Sequence, residues 1–264
     1  MIVCSNCSAT DHEPNARFCH VCGLELTNNL VNRRENSENP QSQNDQNNSY
    51  NIPEAIDLNL PSGTKWASFN VGATKPEECG SYFAWGETEE KTDYSWRSYD
   101  FCDNDSGYDC VHLGRDICGT QYDVAYVKLG RQWRMPSFDQ FMELIRNCEF
   151  EFTTLNGVLG GKFTSKINGN SIFFPTTGMY KDHQIQFRDN AGYWSGTHEP
   201  VGYDEYLAYS FGFISGWVST GTHERNIGLP VRPIMMGNSS KIQASGEKTI
   251  GENLLSRWWW KIRK

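Results

Sequence analysis

From about Ile52 to Met236 the apolar positions of this chain fall into short runs broken by turn residues, and only two stretches show helical spacing. The clearer one follows Pro136. Ser137 stands there as an N-cap, Gln140 three residues on is its capping-box partner, and Phe138, Phe141, Met142 and Ile145 share a face. A helix is therefore predicted from Ser137 to about Cys148. A weaker one runs from Gln121 to Leu129, with Tyr122, Ala125 and Leu129 on a stripe that Gly130 ends. The remaining runs read as strands over Glu149–Thr154, Lys162–Lys166, Ser171–Phe174, Gly192–Ser195, Tyr206–Phe213, Gly216–Thr220 and Leu229–Ile234. Asn156-Gly157 and Asn168-Gly169 supply hairpin-type turns. The predicted class is α+β.

The ends have a different pattern. Residues 27–50 are almost wholly Asn, Gln, Ser and Glu, too polar to offset the entropy of ordering, and are expected to be a linker. Residues 1–26 precede it as a separate unit, residues 51–236 form the main domain, and residues 237–264 are a polar stretch with a distinctive tail. On a helical wheel the tail is two-faced: Leu254, Leu255, Trp258, Trp259 and Ile262 fall together, opposite Arg257, Lys261 and Lys264. That is the pattern of an interfacial helix which rests weakly on an anionic membrane surface, enters a partner groove, or docks on its own domain.

The N-terminal unit carries the firmest chemistry. Cys4 and Cys7 form one C-x-x-C pair and Cys19 and Cys22 another. Each such turn aims two sulfurs at one point, and two turns supply the tetrahedral thiolate set of a zinc ribbon. Four thiolates leave no open position, so the expectation is one structural Zn2+ ion and no metal catalysis. His12 and His20 are not needed as ligands.

Charge narrows the partners. The net charge is −8, with three basic and six acidic groups in residues 1–50 and six basic and two acidic in residues 241–264. Arg17 is the only cation of the ribbon, a poor match to phosphate backbones, so nucleic acid is not the expected partner. No run approaches a membrane span and the N-terminus lacks the layout of a secretory signal, which predicts an unexported, cytoplasmic protein. Beyond the ribbon, Cys79, Cys102, Cys110, Cys118 and Cys148 cannot all pair; reduced thiols are the default. Cys102 and Cys110, flanking an acidic loop, are the pair an oxidant would join.

Several blocks carry a family likeness. Asp57-Leu58-Asn59-Leu60-Pro61-Ser62-Gly63-Thr64-Lys65-Trp66-Ala67, Asn70-Val71-Gly72-Ala73, Tyr82-Phe83-Ala84-Trp85-Gly86-Glu87-Thr88 and Tyr94-Ser95-Trp96 come first. Gly119-Thr120-Gln121-Tyr122-Asp123, Trp133-Arg134-Met135-Pro136-Ser137, Tyr193-Trp194-Ser195 and Val231-Arg232-Pro233 follow in order. Over about two-thirds of its length the chain resembles the Fibrobacter succinogenes-type major paralogous domain, common in Bacteroides. The resemblance implies a C-type-lectin-like fold, preceded here by the zinc ribbon, with a ligand-binding face on the C-terminal strands and their loops.

On that reading Trp66, Trp85, Trp133 and Trp194 belong to the core. Tyr180, His183, Tyr203, Trp217, His223 and Asn226 lie in the segments between the last strands and are the candidate ligand contacts, for an unknown protein or glycan. Trp258, Trp259, Ile262, Arg257 and Lys261 are the candidate membrane or partner contacts. Enzyme chemistry is not expected: His183, His198 and His223 have no neighbouring nucleophile signature, Ser195 lacks a G-x-S-x-G elbow, and no cysteine follows Cys148 for formylglycine-type oxidation. Asp103, Asp105 and Asp109 alternate as calcium loops do, but no closing glutamate follows, so a solvated acidic loop is expected. The sequence thus predicts a non-enzymatic binding module. A regulatory adaptor acting through its ribbon is the alternative, and a cryptic enzyme of the formylglycine-generating type is the third reading.

Overall fold

The structure is a computed structural model that describes residues 50–102, 110–199 and 206–237. The ribbon, the linker up to residue 49, the acidic loop, Tyr203 and the tail from residue 238, with the residues predicted in them, lie outside the described residues.

In chain order the elements are β1 (Ala55–Asp57), β2 (Lys65–Ala67), α1 (Val124–Leu129), β3 (Trp133–Arg134), α2 (Phe138–Asn147), β4 (Cys148–Leu155), β5 (Val158–Ser165) and β6 (Ser171–Pro175). They continue with β7 (Met179–Lys181), β8 (Gln184–Gln186), β9 (Ala191–His198), β10 (Leu207–Ile214), β11 (Trp217–Glu224) and β12 (Ile234–Met235). The described residues are mostly sheet with two short helices. No helix among them is long and apolar enough to cross a membrane.

Four antiparallel sheets result: β1-β2-β12-β3, β4-β5-β6, β11-β10-β9 and the hairpin β7-β8. The first joins the two ends of the domain, since β12 pairs with both β2 and β3. The next two pack through phenylalanines. Phe150 and Phe163 on one sheet meet Phe211 and Phe213 on the other, Phe174 closes the layer, and Phe141 of α2 stacks on Phe211 at 4.5 Å. Trp66 stands against Phe141 and Phe174, so β2 seals the same core. A second cluster contains Trp85, Trp133 and Trp194, and all four predicted core tryptophans are at most 1% exposed.

Local chemistry explains the best-predicted elements. Ser137 Oγ accepts from Gln140 N while Gln140 Oε1 accepts from Ser137 N, closing the capping box on α2. Asn156 and Gly157 both have positive φ, 51° and 83°, which sets the two-residue turn between β4 and β5. The weaker helix is shorter than predicted because Asp123 caps it, its carboxylate accepting from Tyr126 N. Leu229–Ile234 is not one strand. Pro230 and Pro233 interrupt it, and only Ile234–Met235 joins a ladder. Five short strands, β1, β2, β3, β7 and β8, went unpredicted. Cys102 and Cys110 are disulfide-bonded, so the reduced-thiol default fails at the pair singled out as its exception; Cys79, Cys118 and Cys148 are free.

Candidate functional site

Between β2 and α1 the described residues of 68–123 hold a single turn of 3-10 helix, Trp96–Ser98. So long an irregular stretch needs its backbone groups bonded elsewhere. The partners include the segment after β11 and the β7–β8 turn. Phe83 and Leu229 exchange both backbone hydrogen bonds, Trp85 N donates to Arg225 O at 2.8 Å, and Tyr94 N donates to Asp182 O at 2.8 Å. Tyr180 and Gly228 likewise exchange both bonds, bringing the β7–β8 hairpin to the same place. These contacts assemble one end of the domain around a small aromatic cluster in which Tyr94 and Tyr99 are buried and Tyr82, Trp96, Tyr180 and Tyr206 are half-buried.

Buried polar groups fix that end. Lys91 Nζ donates to Glu87 and to Ser98 O, and lies 5.5 Å from the centre of the Tyr94 ring and 5.7 Å from that of Tyr99. Burial pushes the Glu87 carboxyl above its ordinary range, while hydrogen bonds from Lys91 and Asp100 N pull the other way. The Arg225 guanidinium sits 4.7 Å from the Trp85 ring, donates to Tyr99 OH at 2.9 Å and to Val111 O at 3.0 Å, and is fully buried. Below it, burial raises the Asp123 carboxyl to about 6, although Gly119, Met135 and Tyr126 all donate backbone N–H bonds to it.

Three of the predicted ligand contacts meet here. The Tyr180 ring stands 4.8 Å from Tyr94 and 5.9 Å from Tyr82. His183, at the exposed hairpin turn, has Nδ1 3.4 Å from Thr92 O. Asn226 shares the location but not the role. It is 2% exposed and donates Nδ2 to Tyr94 O at 2.7 Å, which makes it a pin that holds the Tyr94 loop rather than a surface contact. Its Oδ1 has no hydrogen-bond partner among the described residues.

The other two are elsewhere. His223 is half-buried in β11, with Nδ1 2.8 Å from Ser210 Oγ and its ring against Trp194; burial holds its pKa below the usual histidine value. Trp217 is 58% exposed but sits at the β10–β11 turn, six residues along the strand from His223, or about 20 Å at the rise of an extended chain. It belongs to the opposite end. Sequence reasoning missed Trp96, Tyr206 and the Lys181–Glu224 ion pair, 2.9 Å long, which borders the Tyr180 strand. Trp96 was visible only as part of a family block. Lys181 and Glu224 are 43 positions apart, and no local spacing marks them.

A concavity of about 460 Å³ lies away from this end, over the outer face of β4-β5-β6. Phe173 forms part of its lining, with Ile56 and Pro76, and Glu151, Lys162, Thr153 and Ser171 add polar groups. Among the described residues no cluster of His, Cys, Asp or Glu is arranged to hold a metal ion. Scans of the chain against protein-family models, curated proteins and solved structures found no match.

Proposed function

We propose that this chain is a non-enzymatic binding protein: a C-type-lectin-like domain whose aromatic loop end captures a protein or glycan, carrying an N-terminal ribbon that holds one structural zinc on Cys4, Cys7, Cys19 and Cys22. The observation that carries it is the construction of the loop end. The described parts of residues 68–123 form an irregular excursion in which half-buried Tyr82 and Trp96, joined by Tyr180, are held over buried Tyr94 and Tyr99 by the Glu87–Lys91 ion pair and backbone bonds, a preorganisation that limits ordering costs on binding. The polar groups there are engaged with one another: Glu87 with Lys91, Arg225 with Tyr99, Lys181 with Glu224. That favours recognition over chemistry, which needs a nucleophile and base left free to converge on a substrate. Unexported location and weak surface contact by the tail through Arg257, Trp258, Trp259, Lys261 and Ile262 complete the proposal.

The test is a glycan array and a protein panel probed with the full chain, with a Tyr180→Ala/His183→Ala double variant and with residues 1–26 deleted. The loop-end reading expects capture to survive the deletion and to be lost in the double variant. Capture lost only with residues 1–26 would assign recognition to the ribbon and make the protein an adaptor. Turnover abolished by a single His or Cys substitution in the main domain would overturn both. Zinc content of the wild type and a Cys4→Ser/Cys7→Ser variant tests the ribbon directly, with one equivalent expected in the first and none in the second.

A further inference from the structure

In the sheet β11-β10-β9 the two edges are treated differently. The β9 edge is covered: Ile117 N donates to Gly196 O, Gly196 N to Pro136 O, Trp194 N to Pro230 O and His198 N to Arg115 O. Among the described residues the β11 edge is unpaired. Its hydrogen-bonding phase follows from the hairpin, because Arg225 N donates to Tyr206 O and the register pairs Trp217 with Ile214. In an antiparallel ladder bonded and non-bonded pairs alternate, so the odd-numbered residues of β11 bond to β10. Val218, Thr220 and Thr222 therefore point their N–H and C=O groups outward. Among the described residues no backbone hydrogen bond reaches these three from that side.

This edge also lacks the usual protections. It is eight residues long, contains no Pro or Lys, and carries its only carboxylate at the last position, Glu224. The irregularity of the sheet lies on the β9 side, between Ala208 and Ser210. Other edges are blunted: β1 is three residues long with Asp57 O capped by Asn168 and Asn170, and β4 carries Glu149 and Glu151. A long, uncharged, β-branched edge is a template for another strand.

We propose that the strand it receives is β11 of a second copy of this chain, antiparallel about a two-fold axis at Thr220, which merges two three-stranded sheets into one of six. The sequence of β11 complements itself in that register. Thr220 faces the partner's Thr220, Val218 faces the partner's Thr222, Ser219 faces the partner's Gly221 and Trp217 faces the partner's His223. Threonine–threonine and β-branched pairs are favourable across strands, and small faces small. No like charges stand opposite one another, since Glu224 falls opposite the partner's Gly216. An isologous contact of this kind closes at two copies.

The mass of the full chain by light scattering, followed across the micromolar range, tests this. The expected result is a monomer–dimer equilibrium that Thr220→Lys, which sets two ammonium groups against each other on the axis, weakens roughly tenfold or more. Thr220→Pro should do the same while keeping the β10–β11 ladder, because the N–H it removes points outward. Amide exchange in the wild type gives an answer free of folding effects: Val218, Thr220 and Thr222 should become protected as the dimer fills. A chain that stays monomeric throughout would overturn the proposal. So would a dimer indifferent to both substitutions and to those three amides, because its contact would lie elsewhere.

Discussion

The two halves of the domain solve the problem of a core in opposite ways. Around Phe211 the sheets β4-β5-β6 and β11-β10-β9 close mainly on rings, Phe141, Phe150, Phe163, Phe174 and Phe213, with Leu58, Leu144, Ile172 and Ile234 filling between them and regular strands on both sides. Around Tyr94 the chain is irregular, and what holds it is polar: the Glu87–Lys91 pair, buried Arg225, and Asn226 bonded to Tyr94 O. Ring packing is tolerant and local, whereas buried polar pins must be complete or they cost more than they contribute. The first half therefore reads as scaffold. The second has the rigidity without regularity that a recognition surface needs.

Arg232 is the sharpest place to break this division, because it lies on the seam. Its guanidinium donates to Asn70 Oδ1 at 2.6 Å, Ala67 O at 3.1 Å, Ser68 O at 3.2 Å and Phe173 O at 2.8 Å, over the Phe174 ring at 4.4 Å. Burial lowers its pKa to about 10, still far above neutrality, so it stays charged. Arg232→Ala leaves four acceptors unsatisfied and should cost roughly 5 kcal/mol, enough to unfold a marginal domain at 37 °C. Chemical denaturation measures it. Phe211→Ala should cost somewhat less, about 4 kcal/mol, by opening a cavity where five rings meet. The halves also differ in how they fail: amide exchange in the Phe211 variant should rise across β4, β5 and β10 and stay slow at Trp85 and Tyr94.

The same contrast governs what could be read from the sequence. In the phenylalanine half the signals are periodic and close in sequence, so α2, its capping box, the Asn156-Gly157 turn and six of the seven predicted strands correspond to elements that form. In the loop half the determinants are long-range. Asn226 meets Tyr94 across 132 positions and Arg225 meets Tyr99 across 126, and nothing in the local pattern of either marks a partner. Tyr180 and His183 were legible as amphipathic residues outside the family blocks. Asn226 and His223 looked the same in sequence, but burial makes them structural. Burial of a polar residue is decided by what folds over it, which one strand's pattern does not contain.

A smaller effect tests whether the loop half depends on its covalent link. The Cys102–Cys110 bond closes a gap of eight positions, and beside it Val111 N donates to Phe101 O while Val111 O accepts from Arg225. A loop that short stabilises by roughly 2–3 kcal/mol in the chain-entropy picture. Cys102→Ser/Cys110→Ser, or reductant on the wild type, should lower stability by up to that amount. Proteolysis should then begin within residues 99–113 and leave the phenylalanine half intact. Equal stability with and without reductant would show that the bond contributes nothing there.

The smallest effect is one of pH, and it separates a polar from an apolar position within the sheet β11-β10-β9. Burial holds His223 below its ordinary value of 6.5, so the folded chain favours the neutral ring while the unfolded chain takes up a proton more readily. Its contribution is therefore whole above pH 6.5 and is lost as pH falls through that value toward the folded pKa, giving a stability that rises with pH by roughly 1 kcal/mol per unit at most. His223→Gln should flatten that slope and keep a hydrogen bond to Ser210. Phe211→Ala should instead lower the whole curve by the same amount across the histidine range, since four of the rings around it carry no titratable proton and burial pushes the Tyr193 phenol further above neutrality. If the two variants gave parallel curves, the slope would belong to another group, and His223 would be charged in the fold despite its burial.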